Sequence, residues 1–240
     1  GTTGRPKGAT LTHRNLLAAM LCYCTDVDPG SPWGAMVHAA PMSHGSGLYG
    51  LAHTLQASCH VIPESGAFDP AEVYDCIQQW PHTSFFAAPT MVKRLLDHPE
   101  DCDTTNLKTV LYGGGPMYVE DLLIAIDRFG PKLSQIYGQG ETPMTITCLD
   151  AGIHADNRHP RWRERLGSVG VAQSAVDVQV TDENDTALRT GEIGEILVSG
   201  DTVMAGYWQN PEASAKALKN GWLRTGDMGV FDEDGFLTLK

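Results

Sequence analysis

Eight residues at the start of the chain, Gly1-Thr2-Thr3-Gly4-Arg5-Pro6-Lys7-Gly8, put three glycines, two hydroxyls and two cations side by side. Glycines let backbone N–H groups converge on an anion, hydroxyls donate further hydrogen bonds, and Arg5 or Lys7 adds positive charge. The chemistry this suits is phosphate binding; the composition alone equally suits a surface turn. A Walker loop is excluded, because Lys7 lies between Pro6 and Gly8 and no Ser/Thr follows it. Further along, Tyr112-Gly113-Gly114-Gly115-Pro116-Met117 reads as a glycine-rich strand-to-helix turn. Tyr137-Gly138-Gln139-Gly140-Glu141-Thr142 carries a carboxylate, the ligand type that a hard cation takes. Asp227, in Trp222-Leu223-Arg224-Thr225-Gly226-Asp227, offers two acceptor oxygens to vicinal donors, or caps a turn. His44, in Pro41-Met42-Ser43-His44-Gly45-Ser46-Gly47, reads by itself as an ordinary structural histidine.

The elements that position these residues alternate along the first two thirds of the chain. Thr12 is a helix cap, and the spacing of Leu16, Leu17, Met20 and Leu21 predicts one apolar face. Asp69-Pro70-Ala71-Glu72 combines a cap, a first-turn proline and a capping-box glutamate. Helical segments are predicted near 47–56, 90–97 and 118–129. Strands are predicted at 35–40, 59–62, 83–88, 109–112 and 133–137. The expected fold class is therefore α/β, a largely parallel sheet flanked by helices. The polar, Arg/His-rich stretch 150–165 reads as an exposed connection. After it, strands at 177–181 and 195–199, a helix at 211–218 and a hairpin around 232–235 predict a small antiparallel β-subdomain. The expected organisation is 1–164 as an α/β subdomain, partial at its start, and 165–240 as the β-rich subdomain.

The 240 residues are 42% hydrophobic, enough for a sizeable core, and a net charge of −12 argues against nucleic acid as a non-specific partner. The six cysteines, at 22, 24, 59, 76, 102 and 148, fit no zinc spacing, and reduced thiols in a cytoplasmic protein are expected. There is no signal peptide and no apolar run of spanning length. The chain starts without Met and stops within a strand-like pattern, so both ends are read as cut.

The opening string, followed by Leu11-Thr12-His13-Arg14-Asn15, resembles the signature loop of the adenylate-forming superfamily, which spans acyl-CoA synthetases, peptide-synthetase adenylation domains and luciferases. The other strings are similar to further signatures of that family and occur in its order. The resemblance implies an ATP site. Gly1, Thr2, Thr3, Gly4, Arg5 and Lys7 would grip the leaving pyrophosphate, and Gly113, Gly114 and Gly115 would line the adenine pocket. Tyr137 would pack on the adenine with Gly138, Gln139 and Gly140 beside it, and Asp227 would take the ribose hydroxyls. It implies Glu141 as the Mg²⁺ ligand, and His44 as a neighbour of the acyl carboxylate. Lys7, His44 and Glu141 are thus the catalytic candidates. Gly140 stands where the family has a threonine donor to the α-phosphate, and its backbone N–H is the simplest substitute. Gly206-Tyr207-Trp208 also resembles the family and reads as scaffold of the β-subdomain.

What the family does implies an AMP-forming acyl-CoA synthetase using ATP, Mg²⁺ and CoA. A carboxylate attacks the α-phosphorus, and a thiol then attacks the acyl-adenylate. Positioning and charge stabilisation dominate such chemistry. Family members carry further N- and C-terminal segments, one bearing a catalytic lysine, so these residues alone are expected to bind nucleotide weakly and turn over negligibly. No Asp or Glu lies between Pro41 and Ala52, which disfavours an α-ammonium substrate and favours a fatty or aryl acid. Leu48, Tyr49, Phe85, Phe86 and Met144 are candidates for its apolar pocket. Two rival readings are an adenylation domain that loads a carrier protein and a catalytically idle nucleotide-binding protein.

Overall fold

The computed structural model describes residues 6–99 and 102–240. Gly1–Arg5, more than half of the predicted phosphate string, lie outside the described residues. The described chain opens with β1 (Ala9–Thr10) and α1 (His13–Cys22), which continues into a π-helical turn at Tyr23–Val27. Thr12 caps α1 as predicted: its hydroxyl accepts from the Asn15 N–H at 3.2 Å, and the Asn15 side chain accepts from the Thr12 N–H at 2.8 Å. The buried face differs from the expected one. Leu17 and Leu21 are exposed, while Asn15, Ala19 and Cys22 are buried. Asn15 turns the helix inward because its amide donates to the carbonyls of Asp201 and Val203, both at 2.8 Å.

The predicted alternation follows: β2 (Ala35–Val37), α2 (Gly45–Leu55), β3 (Cys59–Val61), α3 (Pro70–Gln79), β4 (Thr83–Ala87), α4 (Pro89–Leu96), β5 (Leu107–Gly113), α5 (Val119–Phe129) and β6 (Leu133–Gln139). Asp69 caps α3 by accepting from the Ala71 and Glu72 N–H groups at 2.8 and 3.3 Å. Glu72 does not close a capping box; it accepts from the Ser65 hydroxyl at 2.6 Å instead. Next come β7 (Thr142–Leu149), α6 (Ala151–Ala155), α7 (Trp162–Leu166) and β8 (Val171–Ala172). The seven strands order as β3-β2-β4-β5-β6-β7-β8, with β3 through β6 parallel and β7 and β8 antiparallel.

Side chains of β4 divide the core as strand alternation requires. Phe85 enters the layer under α3, α4 and α5 with Tyr74, Leu95 and Leu122. Phe86 enters the opposite layer with Tyr23, Tyr49 and Leu111, beneath α1 and α2. Both sheet faces are thus covered, as a parallel sheet needs.

The stretch 150–165 is exposed at most positions, as expected, but it folds into α6 and α7 around one buried side chain. His154 is fully buried, within 2.9 Å of the Tyr112 hydroxyl, and the Trp162 indole donates to its carbonyl at 2.9 Å. Arg161 ties this stretch to the later hairpin through Asp232 at 2.7 Å and Asp234 at 3.0 Å.

The remaining elements are β9 (Val176–Thr181), β10 (Gly194–Gly200), β11 (Gly206–Tyr207), α8 (Pro211–Ala217), β12 (Leu218–Lys219), β13 (Trp222–Phe231) and β14 (Leu237–Leu239). Four of the strands order antiparallel as β12-β13-β10-β9, with β14 on β13. β11 stands apart from that sheet and pairs antiparallel with β1, Ala9 facing Tyr207. Among the described residues no helix is long and apolar enough to cross a membrane.

Candidate functional site

Two of the predicted glycine strings, 113–115 and 138–140, lie at the carboxyl ends of the parallel strands β5 and β6, where ligands of open α/β sheets bind. At the end of β5, Gly113 passes so close to β6 that a Cβ would lie 2.4 Å from the Ile136 carbonyl oxygen. Gly114 then turns the chain at φ +78°, a conformation that disfavours a side chain. The turn opens a cavity of about 410 Å³, lined by residues 114–117, 135–138, 166–169 and Leu239. Tyr137 is in its wall. Residues 166–169 and Leu239 are additions to the candidates from sequence, since apart from the strand-like pattern at the chain end no local motif marks them.

Asp227, on β13, is brought to this wall across 90 residues of sequence. Its Oδ2 accepts from the Tyr137 hydroxyl at 2.7 Å and from the Gln139 amide at 2.8 Å. Gln139 also donates to the Thr225 carbonyl at 2.9 Å, and the Thr225 hydroxyl receives the Asp227 N–H at 3.1 Å while donating to the Ile196 carbonyl at 2.8 Å. Burial, and then the Asp227 carboxylate, push the Tyr137 phenol well above its ordinary range, so it stays a hydrogen donor. Both bonds fall on one oxygen, leaving Oδ1 without a partner among the described residues. Gly138, between them, lets β6 approach β7, since a Cβ there would meet Met144 backbone at 2.3 Å. Met144 holds φ +57°, an uncommon conformation for a side-chain-bearing residue beside a site.

Glu141 sits in the tight turn between β6 and β7. Its Oε1 accepts from the Tyr207 hydroxyl at 2.6 Å, and its carbonyl accepts from the Met204 N–H at 2.8 Å. Lys7 places its ammonium 4.4 Å from the centroid of the same Tyr207 ring. Tyr207 therefore joins two of the predicted catalytic residues. Its scaffold reading is corrected in this respect, because β11 holds the opening strand rather than the antiparallel sheet. A Cβ on Gly140 would meet nothing within 4 Å, so the place of the expected threonine is open space.

His44 is exposed at the N-terminus of α2 and lies against the glycine turn: a Cβ on Gly114 would be 3.9 Å from its Cε1. Its ring centroid is 5.8 Å from that of Phe86. The predicted apolar pocket is only partly assembled. Phe86, Tyr49 and Met144 share one layer, whereas Phe85 points to the other face of the sheet and is removed from it.

A resident metal does not fit the described residues, which include no group of three His, Cys, Asp or Glu side chains able to hold one. The single Glu141 carboxylate does fit Mg²⁺ that arrives on phosphates, the manner in which that ion is usually held. None of the six cysteines is disulfide-bonded.

Known proteins resemble this chain in sequence and fold. A family model described as AMP-binding enzyme matches residues 1–208. The chain is 35% identical over 239 residues to a medium/long-chain-fatty-acid–CoA ligase of Mycobacterium tuberculosis, covering 98% of this chain and 40% of that protein. It is 37% identical over 239 residues to a feruloyl-CoA synthase of an Amycolatopsis species, covering 98% and 46% respectively. Among solved structures, the amide bond synthetase McbA of Marinactinospora thermotolerans superposes with a TM-score of 0.88 at 32% identity, covering 99% of this chain and 47% of that one. The chain thus spans less than half the length of each.

Proposed function

The chain belongs to the AMP-binding enzyme family, and we propose that its protein activates a carboxylic acid with ATP and passes the acyl group to CoA. The observation that carries this reading is the Asp227 carboxylate, fixed by Tyr137 and Gln139 beside the strand-end cavity with one oxygen free. That free oxygen suits ribose hydroxyls, and the Tyr137 ring supplies an adenine wall. Gly113–Gly115 contribute close backbone approach.

In the first half-reaction an oxygen of the substrate carboxylate bonds to the α-phosphorus, and the bond from that phosphorus to the leaving pyrophosphate breaks. Lys7, with Gly1, Thr2, Thr3, Gly4 and Arg5 ahead of it, is proposed to hold the departing phosphates. Glu141 would meet Mg²⁺ carried on the nucleotide, and that ion would offset phosphate charge. His44, at the mouth between the glycine turn and Phe86, would orient the carboxylate. In the second half-reaction the CoA thiolate attacks the acyl carbonyl and AMP leaves. The apolar surroundings of Phe86 and Tyr49 support a fatty or aryl acid, as do the substrates after which the two relatives are named.

We further read 1–164 as the α/β subdomain and 165–240 as its β-rich companion, which contributes β8 to the seven-stranded sheet of the first. The free thiols support a reducing, cytoplasmic setting. Pyrophosphate release by the complete protein across a panel of fatty and aryl acids tests the function. Acid-dependent release supports it; ATP binding with no release under any acid would leave only an idle nucleotide-binding protein.

A further inference from the structure

We propose that Tyr207 is a positioning residue that keeps the Lys7 ammonium and the Glu141 carboxylate apart and separately available to one triphosphate. The inference rests on the nucleotide reading above.

Lys7 and Glu141 carry opposite charges and contact the same side chain, and an ion pair between them would satisfy both groups and leave neither for phosphate or metal. Among the described residues neither forms an ion pair. Tyr207 engages each through a different part of its side chain: the ring face carries the Lys7 ammonium at 4.4 Å, and the hydroxyl donates to Glu141 Oε1 at 2.6 Å. A cation on the ring face makes the phenol a better donor, and the carboxylate bond makes the ring face more negative, so the two contacts reinforce each other. Among the described residues the other Glu141 oxygen has no hydrogen-bond partner.

Backbone contacts fix the spacer itself. Tyr207 faces Ala9 in the β1–β11 ladder, the Trp208 N–H donates to the Gly8 carbonyl at 2.7 Å, and the Tyr207 N–H donates to the Ser214 hydroxyl at 2.8 Å. The exit of the opening glycine string and the Glu141 turn are thereby held to one residue.

Two substitutions separate the two contacts. Tyr207→Phe removes the hydroxyl and keeps the ring under Lys7 and the ladder; Tyr207→Leu removes both contacts. On the complete protein, Tyr207→Phe is expected to raise the half-saturating Mg²⁺ concentration for acid-dependent pyrophosphate release about fivefold, the size of one lost hydrogen bond. Its metal-free ATP affinity, measured by calorimetry in chelator, should stay within about twofold, and Tyr207→Leu should weaken that affinity too by about threefold, the loss of an exposed cation–π contact. An unchanged magnesium requirement in Tyr207→Phe, or equal losses in both measurements, would overturn the proposal. A Tyr207→Phe/Glu141→Gln double-mutant cycle in urea unfolding gives an independent reading. Non-additivity of about fivefold in the unfolding constant is expected, and additivity would also overturn it. Coupling in the cycle together with a wild-type protein that binds no ATP would remove the nucleotide reading, and this inference with it.

Discussion

Replacing Asp227 removes two different things, and the structure allows each to be sized. Its Oδ2 takes hydrogen bonds from Tyr137 and Gln139 at 2.7 and 2.8 Å. Bonds to a charged acceptor contribute about 1.5–3 kcal/mol each. The half-buried site argues for the lower end, so Asp227→Ala should lose about 3 kcal/mol of stability without any ligand. Asp227→Asn keeps an acceptor for both donors and should lose about 1 kcal/mol, the difference between charged and neutral bonds. Nucleotide binding carries a separate loss of about 1.5–3 kcal/mol for Asp227→Ala, because Oδ1 is also gone. Tyr137→Phe isolates the structural part: it should cost about 1–2 kcal/mol of stability while leaving the Asp227 carboxylate in the site. Urea unfolding and calorimetric ATP titration read the two quantities on the same samples. An Asp227→Ala protein as stable as wild type would refute the hydrogen-bond reasoning. One that is destabilised but binds ATP normally would remove Asp227 from the nucleotide site.

Three further outcomes are expected. Burial above all lowers the pKa of His53 and of His154 to about 4, from 6.5 in the unfolded chain. Below 6.5 the unfolded chain takes up protons that the folded rings refuse, so the stability present above pH 6.5 is lost as pH falls toward 4, by about 3 kcal/mol per ring. His154→Asn should remove about half of that acid slope in unfolding measurements between pH 7 and 4; an unchanged slope counts against a buried neutral ring. Asp28 is fully buried: burial raises its pKa, but Lys108, Ser84 and the Gly30 N–H outweigh it and hold the carboxyl below its usual range. Lys108→Met should therefore cost about 3–5 kcal/mol in urea unfolding by stranding a buried charge, and a loss below about 1 kcal/mol would contradict the pair. Gly140→Thr should fold normally, since nothing lies within 4 Å of its Cβ, and should raise the rate of pyrophosphate release about fivefold if the new hydroxyl reaches the α-phosphate; a slower enzyme would refute that placement.

The parts of the fold written in local signals are legible in the sequence. Thr12 and Asp69 mark helix starts by chemistry confined to a few residues, and Gly113-Gly114-Gly115 and Asp227 lie in strings whose residue types suit one task. What escapes a local reading depends on partners far along the chain. Leu17 and Leu21 fit an apolar stripe, yet the face is set by Asn15 reaching carbonyls 186 and 188 residues away. The stretch 150–165 is polar by composition, but His154 is buried because Tyr112 and the Asp150 carbonyl satisfy its ring. β7 contains Pro143 and the positive-φ Met144, features that argue locally against a strand and that a neighbouring antiparallel strand overrides. Tyr207 reads as scaffold in the sequence because its contacts with Lys7 and Glu141 exist only once β11 pairs with β1.

In the proposed reaction a substrate carboxylate oxygen bonds to the α-phosphorus of ATP, and oxygen tracing reads that bond. The acid is supplied with both carboxylate oxygens as ¹⁸O to the complete protein with ATP, Mg²⁺ and CoA, and the AMP is collected for mass spectrometry. AMP carrying one ¹⁸O is expected, transferred when the thiolate breaks the acyl–oxygen bond. Unlabelled AMP, or label in phosphate or pyrophosphate, would contradict it.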